Sequence, residues 1–459
     1  MTVIVQVPRV SSRSRSFVVT PFTCAVIAAV SFGAIACGGD DDDDDSNARS
    51  ASGGSAGSSS GGSSSGKGGT GGKGGSATGG SSTGGKGGSA TGGTNATGGK
   101  ANIVDPEDFD GQEVFRHDTF GDEQFWTGTL RMNEAIQAAL DPMTALSLGL
   151  KVDAEALPEG ILDTADLTDP ATTVALIGLD AVVGVKGTVD SAGNLTSVGI
   201  TCALCHSDVD DSVMEGIGVR IDGAANRDLD PGAIIALAPA LAEMPDALEV
   251  YNSWGPGYFD PRFNQDGINA PVLIPPIYGL ADVPYETYTG DGPISYWNSY
   301  VGITQMGGVG NFFDPRIDVA VAYDQDMITA KLPSLYEYQV SLDVPAPDDS
   351  FDSAAATRGQ ALFEGAAQCS TCHSGPALSN AGEAWYTPEE VGQDATTAER
   401  SATGMYRTTP LRALAVHPPY FHDGSAETLA DVVAHYDTLL ELNLTPAQQT
   451  DLVQYLSSL

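Results

Sequence analysis

The sequence predicts a mainly α-helical protein: two helical domains with irregular, loop-rich extensions, carried on a disordered N-terminal tether. Three observations predict it. A Cys-x-x-Cys-His pattern occurs twice, as "CALCH" from Cys202 and "CSTCH" from Cys369. Helical patterning leads into the second copy and returns twice before the C-terminus. The stretch from Gly38 to Asn102 is Gly/Ser-rich and offers almost no apolar surface to bury.

Residues 1–36 read as an export signal. Arg9, Arg13 and Arg15 form a basic start, an apolar stretch follows, and the small residues Ala34 and Ala36 precede Cys37. "GAIAC" resembles a bacterial lipobox, which implies lipidation of Cys37 and attachment to a membrane. Residues 37–102 are then a lipid-anchored low-complexity linker. Its glycines are no phosphate loop, since no strand precedes them and no helix pattern follows. Residues 103–345 form the expected N-terminal domain with its extension, and residues 346–459 the C-terminal domain. Within the first, a helical run is expected after Thr127, a strand pair between Val174 and Val189, and long loops with short helices between Pro256 and Pro315. In the second, "DSAAATRGQALFEGAAQ" leads as a helix into Cys369. "SAETLADVVAHY" follows with Ser425 as N-cap. The last helix has Thr445 as N-cap, Pro446 at its first position and Gln448 closing a capping box.

Sixty acidic residues against 21 basic ones give a net charge of −39. Phosphate binding needs a basic surface, so nucleic acid is excluded as a partner. The balance fits a solvated acidic exterior and, as a sharper reading, attraction to a basic redox partner or to cations.

The two motifs carry the chemistry. Cys-x-x-Cys-His is the attachment signature of c-type haem: two thiols add to the two vinyl groups, and the adjacent histidine binds the iron. Cys202 and Cys205 would hold one haem with His206 as proximal ligand, and Cys369 and Cys372 a second with His373. Disulfides, a four-cysteine zinc site and redox-active dithiols each explain the cysteines, but not a histidine directly after both pairs. For the sixth position of the second iron the candidates are His435, Tyr436 and Met405, with His435 favoured. For the first, no histidine lies between His206 and His373. Met214, Met244, Met306, His117 or an open position remain, and an open position is what O₂ or peroxide chemistry requires. Trp297, with Trp254 second, is the expected aromatic bridge between the haems.

"RGQALFEGAAQCSTCH" with the closing helix resembles a class I cytochrome c domain. "RTTPLRALAVHPPYFHDGSAETLADVVAHYDTLL" resembles the C-terminal block of the bacterial di-haem cytochrome c peroxidase and MauG-like superfamily. That resemblance implies a di-haem oxidoreductase of the cell envelope, acting with a redox partner protein or a small-molecule oxidant or substrate. It places His422 and Arg412 close to the haem without making them ligands. It implies Ca²⁺ as a candidate further cofactor. The acids after the first motif lack an EF-hand pattern, however, and read as a solvated surface. The peroxidases cap the first iron with a histidine soon after the first motif, and "HSDVDDSVMEGIGVR" offers none. This departure is similar to the di-haem rubber oxygenase branch, whose aromatics near the first haem resemble Phe312 and Phe313.

Overall fold

Helix α1 (Gly111–His117) starts where Asp110 accepts hydrogen bonds from the backbone N–H groups of Gln112 and Glu113. The computed structural model describes residues 109–347 and 350–459. The expected export signal at 1–36, Cys37 and the expected linker at 37–102 lie outside these residues. The helical run after Thr127 is split. A π-helical turn (Gln124–Thr129) ends first, and α2 (Met132–Ala139) restarts after Arg131, which sits in the left-handed region at φ 60°.

The expected strand pair at residues 174–189 is half helix. Asp169 caps α3 (Pro170–Gly178), with Pro170 at its first position, and only β1 (Val185–Val189) is extended. β1 pairs antiparallel with β2 (Leu195–Ile200). A run of small apolar residues fits either period, and the Asp-Pro start decides it. β2 feeds directly into α4 (Ala203–His206), the single turn that holds the first motif. The Pro/Gly-dense region contains one full helix, α5 (Ile294–Thr304), which buries Trp297, Tyr300 and Ile303. The hairpin β3 (Phe312–Asp314) and β4 (Val319–Val321) follows, then α6 (Leu332–Val340). The C-terminal part is α7 (Ser353–Glu364), α8 (Leu429–Leu439) and α9 (Pro446–Ser457). The capping box at Thr445 forms as expected. That of α8 is built by Thr428 and Asp431, three residues beyond the expected Ser425. Every sheet among the described residues is a two-stranded pair, so helices carry the architecture.

Three apolar clusters hold the chain. One joins α2, α3, β1 and β2 through residues such as Ile136, Ile177 and Val198. A second joins α1, α5 and α6 through Phe115, Tyr300 and Leu335. The third lies in the C-terminal part, between Phe363, Leu414, Val433, Leu452 and Leu456. All described residues nevertheless belong to one compact unit. Buried charges link the third cluster's segment to the rest. Arg400 binds Asp260 (2.9 Å) and Asp266 (2.7 Å), Arg407 binds Glu286 (3.2 Å), and Ala402 N–H donates to Asp291 (2.9 Å).

Helices α7 and α9 cross at Gly359. A Cβ there would lie 2.0 Å from the carbonyl oxygen of Asp451 and 2.8 Å from Cβ of Tyr455. Gly359→Ala must push two backbones apart, and the expected cost is roughly 1–3 kcal/mol, as for other overpacked contacts. Urea unfolding followed at the C-terminal part checks this; an unchanged midpoint would mean that the crossing is loose.

Candidate functional site

The first motif is positioned by backbone contacts on both sides. Ile200 N–H donates to Asp122 (3.1 Å) and Thr201 Oγ1 to the Arg116 carbonyl (3.0 Å), which fixes the chain as it leaves β2. Gly184, at φ 75°, lies under α4; any Cβ would sit 2.1 Å from Leu204 N, so this close approach requires glycine. The second motif is a 3-10 turn (Cys369–Thr371) closed by His373 N–H donating to the Cys369 carbonyl at 2.9 Å.

The two histidines are held alike. His206 Nδ1 lies 3.1 Å from the Pro275 carbonyl oxygen, and His373 Nδ1 lies 2.9 Å from that of Leu378. A carbonyl only accepts, so each Nδ1 carries the proton and each Nε2 keeps its lone pair. Burial pushes both imidazoles down to about 4, so they are neutral at neutral pH. A neutral imidazole oriented through Nδ1 is the state that binds a metal through Nε2.

A single cavity of about 840 Å³ is lined by Cys202, Cys205 and His206 and also by Cys369, Cys372 and His373. The four cysteines are free thiols. Burial pushes Cys202 and Cys205 up to about 12 and Cys369 up to about 11, the opposite of what a redox-active dithiol needs. Among the described residues no group of three or more Cys, His, Asp and Glu side chains is placed to hold a metal ion. A buried cation points the same way as the thiols. Arg227 lines the cavity, and its Nε and Nη1 have no hydrogen-bond partner. Arg227 Nη2 donates to the His417 carbonyl at 3.4 Å, and two unmet guanidinium donors lining one cavity with thiols and neutral imidazoles fit a haem, whose propionates would answer them.

The sequence candidates separate cleanly. Tyr436 lines the cavity, whereas His435 and Met405 do not. Adjacent residues on α8 point about 100° apart, so only one of the His435–Tyr436 pair faces inward. His435 Nε2 lies 2.8 Å from the Val391 carbonyl oxygen and is committed there, against the favoured expectation. Met405 is exposed at 38%. Burial pushes the Tyr436 phenol up to about 12. At the first motif, Met244 and Met306 line the cavity, but His117 and Met214 do not. His422 and Arg412 line it. His422 Nε2 pairs with the Tyr406 hydroxyl at 3.1 Å.

Trp297 and Trp254 both line the cavity. Trp297 packs in the cluster that includes Cys202, and its indole N–H donates to the Glu286 carbonyl at 3.1 Å. Trp254 donates to Asn269 and sits among Tyr251, Phe259 and Phe263. Phe312 and Phe313 do not line the cavity. Strand alternation on β3 buries Phe312 against Tyr296 and Tyr300 and leaves Phe313 exposed at 73%. The acids after the first motif are engaged in structure. Asp208 and Asp228 bind Lys151, Asp222 binds Arg116, Asp210 and Asp211 accept from turn N–H groups, and Asp230 caps a helix. Charged cavity residues missed from sequence include Arg227, Glu286 and Arg407. Arg407 begins the quoted "RTTPLR" block and could have been taken with Arg412; Glu286 and Arg227 lie in no motif.

No family model matches the chain. It is 31% identical over 171 residues to the cytochrome-c peroxidase IdrP2 of a Pseudomonas strain, covering 27% of this chain and 46% of that protein. Against the cytochrome-c peroxidase IdrP1 of Denitromonas iodatirespirans it is 32% identical, covering 25% and 42%. Against the methylamine utilization protein MauG of Methylorubrum extorquens it is 33% identical, covering 24% and 34%. These relatives are cytochrome-c peroxidases and MauG. The resemblance to the di-haem cytochrome c peroxidase and MauG-like superfamily therefore holds; none of these three relatives is a rubber oxygenase. The chain spans less than half the length of the relatives it matches. A solved MauG-like protein associated with microbial copper homeostasis is 17% identical with a TM-score of 0.30, covering 42% of this chain and 75% of that one, too slight a likeness to bear on the fold.

Proposed function

We propose that the chain is a di-haem oxidoreductase of the bacterial envelope, exported and lipid-anchored through Cys37. It passes electrons between a haem on Cys202, Cys205 and His206 and a haem on Cys369, Cys372 and His373, and acts on peroxide or O₂ at the first. The two haem domains would be residues 103–345 and 346–459. The observation that carries this reading is the one cavity lined by both motifs. When bound, each haem would supply an iron that changes charge by one electron. The residues do the rest. His206 and His373 present neutral Nε2 lone pairs; Tyr436 offers an oxygen to the second site; Arg227 and Arg412 line the cavity with positive charge that would hold propionates; Trp297 fills the apolar space on the Cys202 side. Besides His206 and His373 the cavity is lined by His417, whose Nε2 lies 3.1 Å from the Arg412 carbonyl oxygen, and by His422, and the thioethers of Met244 and Met306 are the side-chain donors left among the sequence candidates for the first iron.

The pyridine haemochrome assay on protein matured in an envelope tests this. Two covalent haems per chain are expected, and one each for the Cys202→Ser/Cys205→Ser and Cys369→Ser/Cys372→Ser variants. A chain without covalent haem would overturn the reading. Carbon monoxide is expected to shift the reduced spectrum at one haem of the two. A spectrum blind to both carbon monoxide and cyanide would make the protein an electron carrier instead. Turnover of H₂O₂ with a reduced donor marks a peroxidase, and a stable oxygenated spectrum without reductant marks a dioxygenase.

A further inference from the structure

Glu286 is a buried carboxylate placed between the two haem motifs, and nothing in its surroundings uses it fully. It lines the common cavity, and only 8% of its side chain is exposed. Its Oε2 accepts from Arg407 Nη2 at 3.2 Å, a long contact for a charge-assisted pair. Its Oε1 has no partner at all. Arg407 divides its donors, giving hydrogen bonds to the carbonyl oxygens of Thr287 and Thr408 as well. The backbone ties Glu286 to both sides: its carbonyl accepts from Trp297, beside the first motif, and Arg407 precedes Thr408 in the C-terminal segment. A buried oxygen left unmet is costly unless something fills its hydrogen bond during function.

We propose that Glu286 is the cavity's redox-linked proton site: Oε1 takes up one proton when an electron enters the haem pair and releases it when the electron leaves. This rests on the di-haem reading above. The balance is one electron, from an external one-electron donor, and one proton, from solvent, entering together, so the cavity's net charge is unchanged. Oε1 is where the new O–H forms, and Arg407 holds Oε2 in both states.

The surrounding charges favour such a carboxyl. Arg407 and Arg412 face it from the C-terminal segment; Asp282 stands beyond Arg412 and Tyr288 beside Arg407. Burial outweighs the two arginines and pushes Glu286 up to about 7, so a change in cavity charge tips it near neutrality. Added negative charge on reduction raises the affinity for the proton. The reduction potential must therefore fall as pH rises through neutrality and flatten on either side.

Potentiometric titration of the full, haem-loaded chain between about pH 5 and 9, with mediator dyes, tests this. The expected result is a potential that falls across neutrality in the native protein and a flattened curve in Glu286→Gln, which keeps the acceptor for Arg407. A native potential that ignores pH, or an unaltered slope in Glu286→Gln, overturns the proposal while two covalent haems by haemochrome leave the di-haem reading intact. Absence of haem sinks both. Should the variant fail to fold, the infrared redox-difference spectrum of the native protein decides. A protonated-carboxyl C=O band that grows on reduction and shifts in D₂O supports the proton site, and its absence overturns it.

Discussion

On the di-haem reading, Tyr436→Phe is expected to change the coordination of one iron of the two. The oxidised protein should gain a high-spin, five-coordinate signal in its EPR spectrum, and the second haem should begin to bind cyanide. The reason is local. Tyr436 lines the cavity with the second motif, and its hydroxyl is the oxygen lost. Phenylalanine keeps the ring and its packing, so stability should move by less than about 1.5 kcal/mol, the range of one hydrogen bond. His435→Gln is the matched control. The His435 ring is spent on the Val391 carbonyl and stands against Phe421, with centroids 4.9 Å apart, outside the cavity lining. That substitution should leave both irons as they were. If His435→Gln opens the second iron and Tyr436→Phe does not, the phase of α8 read here is wrong. On the di-haem reading, a Tyr436 oxygen that gave up its proton on binding the iron would hold it at low potential, so the second haem of Tyr436→Phe is expected to become easier to reduce.

Arg400→Met is expected to be the most destabilising single substitution discussed here, by roughly 3–5 kcal/mol, the range for breaking a buried pair and leaving its partner charge behind. Arg400 is 7% exposed and Asp260 fully buried. The guanidinium meets both oxygens of Asp260, at 2.9 and 3.1 Å, and both of Asp266, at 2.7 and 3.0 Å. Asp260 also accepts from the backbone N–H groups of Arg262, Phe263 and Ala270, so the loop it organises loses its centre if it shifts. Arg358→Met removes an ion pair of similar geometry, with Asp451, but there the arginine is 60% exposed and water takes over its role. Urea denaturation of both variants checks the contrast. Equal midpoints would show that the Arg400 network adds nothing beyond a surface pair. Asp260→Asn in the Arg400→Met background should restore part of the loss, since it removes the stranded charge.

What could be read from sequence was what is written in short, local code. Both haem motifs, the capping box at Thr445 and the helix before Cys369 each depend on residues a few positions apart. What could not be read was phase and partnership. His435 and Tyr436 differ by one step on a helix, and only the packing of α8 decides which faces inward. Phe312 and Phe313 differ by one step on a strand, with the same consequence. The residues 174–189 carried a start signal at Asp169 and Pro170 that the apolar run obscured. Arg227 and Glu286 gave no signal, because a lone charge in a loop acquires meaning only from the atoms that fail to satisfy it.

The shared cavity bears on how the protein is made. Close-packed chains do not hold open a hollow of about 840 Å³ on their own, and here it lies among three modest apolar clusters. On the di-haem reading, the cofactors are the missing centre of the molecule, and attachment and folding become one event. Both thiol pairs face the same space, so ligation must come before the Arg400 and Arg407 contacts close it. A chain that receives only one haem would be half-built and open to envelope proteases. The steady-state amount of this protein would then act as a gauge of haem supply during export.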